Sequence, residues 1–65
     1  MKVKKFYKIL QKTFPSALIF VSINGHNFYL AKPSTALTNF GYYDVIDLEK
    51  DYDEYNNIIM YYIKV

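Results

Sequence analysis

Asp47, Glu49, Asp51 and Asp53 set a carboxylate at every second position of one short stretch, and with Asp44 and Glu54 they are all the acids of the 65-residue chain. Three chemistries could use them. A calcium loop wants oxygen donors at positions 1, 3 and 5, glycine at 6 and glutamate at 12; counted from Asp47, Tyr52 stands at 6 and Ile58 at 12, so calcium is not expected. A catalytic acid and base need surroundings that drive two carboxyl pKa values apart, and this polar stretch supplies no apolar cover. The third use is geometric. In an extended strand, alternate side chains share a face at intervals of about 6 to 7 Å, so the four carboxylates would form a row that imitates a phosphate backbone to a protein that binds DNA or RNA. Asp47, Glu49, Asp51 and Asp53, with the neighbouring Tyr52 and Tyr55, are therefore the candidate protein-binding set. The plainer reading is a polar hairpin tip that keeps an apolar chain soluble.

The opposite charge lies elsewhere. Residues 1–43 carry six lysines and no acid, and Lys4, Lys5, Lys8 and Lys12 recur at helical spacing. Such a stripe is either the solvated back of a core-packed helix or a surface for phosphates. The absence of arginine argues against base readout, in which bidentate contacts to guanine dominate. His26 is the single histidine and there is no cysteine, so a zinc site is not expected. No nucleophile–base pair or glycine-rich phosphate loop accompanies it. Neither an enzyme nor a cofactor is expected.

These side chains need a scaffold, and aromatic residues must build it. Eight tyrosines and five phenylalanines offer large apolar area, each ring burying about 150 to 250 Å², in a chain long enough for one domain spanning residues 1–65. The bias toward Lys, Asn, Ile, Phe and Tyr reads as the translation of an AT-rich gene, which points to a low-GC bacterium or a phage or mobile element living in one. Lys8 and Lys12 interrupt any signal-peptide core, and the run from Ala17 to Val21 falls far short of the roughly 20 apolar residues a membrane span needs. A soluble cytoplasmic protein without membrane partners is expected.

Val3, Phe6, Tyr7, Leu10 and Phe14 predict an amphipathic helix that Pro15 ends. Asn24-Gly25 suits a two-residue type I′ turn between strands 16–23 and 26–31, pairing Ile23 with His26, Val21 with Phe28 and Ile19 with Leu30 on the core face. Residues 33–41 predict a short helix, with Ser34 and Thr35 as starters and Gly41 as a left-handed stop. A strand from Tyr42 or Tyr43 to Glu49, a polar connection over 50–56 and a last strand over 57–64 complete the chain. The last strand is apolar on both sides and reads as interior. The expected fold is α+β, an N-terminal amphipathic helix on a four-stranded antiparallel sheet in the order α-β-β-short α-β-β.

One long helix covers one face of such a sheet. The other would hold Leu18, Phe20, Tyr29, Met60 and Tyr62, a patch of the kind that marks an interface, unless the short helix and loops cover it. Stacking of nucleic-acid bases on Phe20 and Tyr29 is a further use. The expected function is a small non-catalytic protein-binding module, of the sort a phage or mobile element carries to bind or inhibit a host protein, or else a homodimer through this face. The alternative is nucleic-acid binding through Lys4, Lys5, Lys8 and Lys12.

Overall fold

The computed structural model describes residues 1–31 and 35–65. They form α1 (Val3–Thr13), β1 (Leu18–Ile23), β2 (His26–Leu30), α2 (Thr35–Phe40), β3 (Asp47–Asp53) and β4 (Ile58–Lys64). In α1, Val3, Tyr7 and Leu10 are buried while the lysines face solvent. The Phe14 amide closes the last turn on the Leu10 carbonyl at 2.8 Å, and Pro15 offers no further amide. Asn24 and Gly25 take the positive φ angles of 50° and 81° that the tight turn demands. The hairpin pairs Ile23 with His26, Val21 with Phe28 and Ile19 with Leu30, as expected.

The sheet is mixed rather than antiparallel, in the order β2-β1-β4-β3 with β1 and β4 parallel. Both β1 and β4 are apolar on two faces, so both belong inside the sheet, and each already has an outer hairpin mate; they must therefore be neighbours. Their relative direction comes from the connection. β2 ends and β3 begins at opposite ends of the sheet, so β3 runs in the direction of β2 and β4 in that of β1, and two strands of one direction need a connection of a dozen or more residues between them. Two hairpins read separately leave that direction open.

The first, second and last strands are each a residue or two shorter than expected, and larger differences lie between the hairpins. The third strand starts at Asp47, not at Tyr42 or Tyr43, and runs through Asp53, because residues 41–45 are used by the N-terminus of α1. The Val3 amide donates to the Tyr43 carbonyl at 2.9 Å, the Lys4 amide to the Gly41 carbonyl at 2.8 Å, and the Val45 amide to the Met1 carbonyl at 2.9 Å. A helix start without a side-chain cap is thus satisfied by loop carbonyls. Gly41 is not a left-handed stop. It is required by close approach, since a Cβ there would stand 2.5 Å from the Leu37 carbonyl oxygen and 3.3 Å from the Lys4 Cβ. The second helix begins at Thr35, one of the two expected starters, and the expected first residue Pro33 and the other starter Ser34 lie outside the described residues.

One core forms between the helices and one face of the sheet. Val3, Tyr7 and Leu10 of α1 meet Ile19, Val21, Leu30, Tyr61 and Ile63, all buried, and Ala36, Leu37 and Phe40 of α2 pack against the same cluster. Phe28 touches Phe40 with ring centroids 5.2 Å apart, and Phe14 closes on Tyr61 at 5.0 Å. Each fully buried aliphatic side chain contributes about 1.5 to 3 kcal/mol. Both helices therefore lie on one side of the sheet.

Candidate binding face

The strand register assigns every side chain on the other side. Tyr29 of β2 stands opposite Phe20 of β1, Phe20 opposite Tyr62 of β4, and Tyr62 opposite Glu49 of β3. The rings form a continuous row across three strands: Phe20 and Tyr29 have centroids 5.6 Å apart and tilted, whereas Phe20 and Tyr62 stack at 5.2 Å with 22° between planes. Such pairs are worth about 0.5 to 1.5 kcal/mol beyond their area. Leu18 pairs with Met60 in the next row, and the Tyr62 hydroxyl donates to the Met60 sulfur at 3.5 Å. All five residues of the expected apolar patch share this face. None belongs to the core cluster that the helices cover.

The carboxylates share it too. Asp47, Glu49, Asp51 and Asp53 stand opposite Lys64, Tyr62, Met60 and Ile58, which puts their row beside the aromatic one. β3 is a sheet edge, so the row borders solvent. Lys64 is the basic residue at its end: its Nζ lies 2.8 Å from the Glu49 carboxylate, and Glu49, with Asp47 adding, raises the lysine pKa above its ordinary value. Asp51 accepts the Tyr52 amide at 2.8 Å and makes no ion pair among the described residues. A polar depression of about 330 Å³ lies between Ser22, Asn27, Glu49, Asp51, Tyr62 and Lys64, with the stacked Tyr62 ring in its wall.

Asp53 has a structural duty as well. Its carboxylate accepts the Tyr55 amide at 3.0 Å, the Asn56 amide at 3.3 Å and the Asn56 side-chain amide at 2.7 Å. The Asn56 side chain leads in holding its pKa below the usual carboxylate value. This fixes the turn over residues 54–57, which closes with Asn57 at φ 54° and with the Tyr52 hydroxyl donating to the Asn57 side chain.

The expected protein-binding set is split by the same register. Tyr52 alternates with the acids and points to the helix side, and Tyr55 stands fully exposed in the turn, 101% of its reference area. Asp44 is likewise removed from the row: it pairs with Lys2 at 2.9 Å, and that hydrogen-bonded ammonium pulls its pKa below the usual range. Lys4, Lys5, Lys8 and Lys12 lie exposed on the back of α1. That side points away from the sheet, so the basic and acidic faces lie on opposite sides of a molecule 32 × 24 × 19 Å across.

One feature of the basic side was not expected from sequence. Tyr42 is 74% exposed, with the Lys4 ammonium 6.0 Å from its ring centre. A shallow depression of about 240 Å³ there is lined by Lys2, Lys4, Lys5, Lys8, Gly41 and Tyr42. Reading Tyr42 as the start of a strand hid its place beside the lysines. Among the described residues no three His, Asp or Glu side chains gather as a metal ion would require, and no helix is long and apolar enough to cross a membrane.

No family model, no curated protein and no solved structure matches this chain.

Proposed function

We propose that this α+β protein is a non-catalytic binding module that docks on a basic surface of another protein through the open face of its sheet. The observation that carries the reading is the aromatic row Tyr29–Phe20–Tyr62 lying uncovered beside the carboxylates of β3. Aromatic area gives affinity, and the acids select the sign of the partner. Such a surface fits the site where a partner holds DNA or RNA, because carboxylates about 6 to 7 Å apart along an extended strand offer lysines and arginines a substitute for phosphates. The AT-rich coding signature fits an accessory protein of a phage or mobile element, with a host protein as the target.

An oligo-arginine peptide serves as the probe of a basic surface. Its chemical-shift changes should concentrate on Phe20, Glu49, Asp51 and Tyr62. They should vanish in Asp47→Lys/Glu49→Lys/Asp51→Lys, which spares the turn-forming Asp53, and persist in Lys5→Glu/Lys8→Glu/Lys12→Glu. Shifts absent from the wild type, or unchanged by the first variant, would refute the reading.

A second reading is nucleic-acid binding through Lys4, Lys5, Lys8 and Lys12. The exposed Tyr42 ring among these lysines favours it, since it gives a base something to stack on. It predicts a gel shift at low ionic strength that fades steeply with salt and is lost in the lysine reversals.

A further inference from the structure

The two edges of the sheet are treated differently. β3 presents Asp47, Glu49, Lys50, Asp51 and Asp53 within seven residues, a density of charge that blocks pairing with another strand. β2 reads His-Asn-Phe-Tyr-Leu and carries no such protection: no lysine, no carboxylate, no proline. Phe28 and Tyr29 are 41% and 52% exposed on it. Hairpin geometry says which of its backbone groups are free. Ile23 and His26 close the two-residue turn and exchange both hydrogen bonds, after which bonded and non-bonded pairs alternate. His26, Phe28 and Leu30 therefore turn their amides and carbonyls toward β1, and Asn27 and Tyr29 turn theirs away from the sheet. Among the described residues no hydrogen bond from outside the sheet reaches them.

We propose that two copies of the chain join antiparallel along β2 across a two-fold axis, forming one eight-stranded sheet. With Phe28 of each copy opposite Phe28 of the other, Asn27 of one copy faces Tyr29 of its mate, and these residues exchange four backbone hydrogen bonds. The occupant of the edge is a second copy because charge placement selects it. Docking the two open faces on each other would bury four carboxylates against a single lysine from each copy. Pairing along β2 sends both acid rows to the outermost strands, about 34 Å apart at seven strand spacings, well beyond the screening length of about 8 Å.

The pairing also enlarges the open face. A two-fold axis perpendicular to the sheet keeps both open faces on the same side, so Tyr62, Phe20 and Tyr29 of one copy continue into Tyr29, Phe20 and Tyr62 of the other. The second copy thus supplies half of a doubled aromatic surface.

Sedimentation equilibrium on the full chain tests this. The mass should rise with concentration from one chain of 7.7 kDa to two and stop there, and high salt should leave the dimer intact because no charged pair holds it. Tyr29→Pro removes an outward-facing amide, which an edge strand tolerates, together with the ring that packs on Phe20; with its circular dichroism spectrum preserved, it should weaken the dimer by about tenfold or more, and Tyr29→Ala, which loses the ring but keeps the amide, should weaken it less. Tyr29→Lys, which keeps the amide and places two ammonium groups near the axis, should weaken it as the proline does. A monomer at all concentrations, growth beyond two chains, or a dimer indifferent to the proline and lysine substitutions would overturn the pairing. The two readings fail separately, because the mass is measured on the free protein without peptide, and the carboxylate reversals on β3 that test the peptide leave Tyr29 and the β2 edge untouched.

Discussion

Replacing Gly41 by alanine tests whether the loop that ends α2 holds the start of α1. The added Cβ would stand 2.5 Å from the Leu37 carbonyl oxygen, a backbone atom that cannot swing aside, so the loop has to move. Forced backbone shifts of this kind cost about 1 to 3 kcal/mol. The Gly41 carbonyl also accepts the Lys4 amide at 2.8 Å, and weakening that bond adds about 1 kcal/mol. Alanine recovers roughly 0.4 to 1 kcal/mol by stiffening the unfolded chain. The net is a loss of about 2 to 3 kcal/mol, against a total stability of roughly 3 to 10 kcal/mol for a domain this size. At about 4 to 8 °C per kcal/mol, the melting temperature should fall by about 10 to 20 °C. Gly25→Ala is the control. Nothing lies within 4 Å of a Cβ there, but φ is +81°, so it pays only left-handed strain of about 1 to 2 kcal/mol. Thermal melts by circular dichroism give the magnitudes, and hydrogen exchange at the Val3 and Lys4 amides gives the place: both should exchange faster in Gly41→Ala and not in Gly25→Ala. A melting temperature within about 2 °C of wild type, or unchanged protection of those two amides, would refute the reasoning.

Asp51→Asn keeps the acceptor for the Tyr52 amide and removes one charge from the row. With Glu49 bound to Lys64, the neighbour that matters is Asp53, and relief of that repulsion at roughly 7 Å in water is worth about 0.6 kcal/mol before screening. The variant should be slightly more stable at low salt and equal at high salt by urea denaturation; a loss above about 1 kcal/mol would show that the carboxylate is structural. Stability should also depend on pH at both ends. Asp44 and Asp53 have folded pKa values below their ordinary ones, so their contribution is present above the unfolded carboxylate value of about 3.9 and disappears as pH falls through the lower folded values. Tyr7, raised by burial and then by neighbouring Tyr29, is neutral when protonated, so its contribution is present below about pH 10 and lost as pH rises through its folded value. Urea midpoints across pH check both: Asn56→Ala should shrink the acid-side loss and Tyr7→Phe the alkaline one, and unchanged slopes would refute the assignments.

Local rules made much of this fold legible. The spacing of Val3, Tyr7 and Leu10 marked α1, Asn24-Gly25 fixed the first hairpin and its register, and the two-sided apolar run over 58–63 marked an interior strand. Direction and partnership were not local. Nothing within either hairpin says that β4 runs parallel to β1, and nothing in Gly41-Tyr42-Tyr43 says that its carbonyls cap a helix almost forty residues earlier. The candidate site shows the same division. Alternation put Asp47, Glu49, Asp51 and Asp53 on one face, but only pairing across four strands shows that this is also the face of Phe20, Tyr29 and Tyr62. The same alternation that gathers the acids sends Tyr52 to the opposite side, which grouping by sequence proximity had missed.

The placement of charge also decides how recognition can work. The chain carries a net charge of +2, so a basic partner at long range meets weak repulsion rather than attraction. Beyond a screening length of about 8 Å the acid row does not steer a protein toward the open face. Its carboxylates act once the surfaces are nearly in contact, where the lysines of α1 stand on the far side of the molecule and face solvent. On the proposed reading, selectivity then comes from orientation. A partner that approaches with its basic patch toward α1 is repelled, and one that meets the sheet finds carboxylates and rings together. The expected consequence is kinetic: reversing Lys5, Lys8 and Lys12 should speed association with a basic partner while leaving its dissociation rate unchanged, whereas Phe20→Ala should speed dissociation. Stopped-flow measurement with the oligo-arginine probe separates the two, and a slower dissociation rate on reversing the lysines would show that they belong to the contact after all.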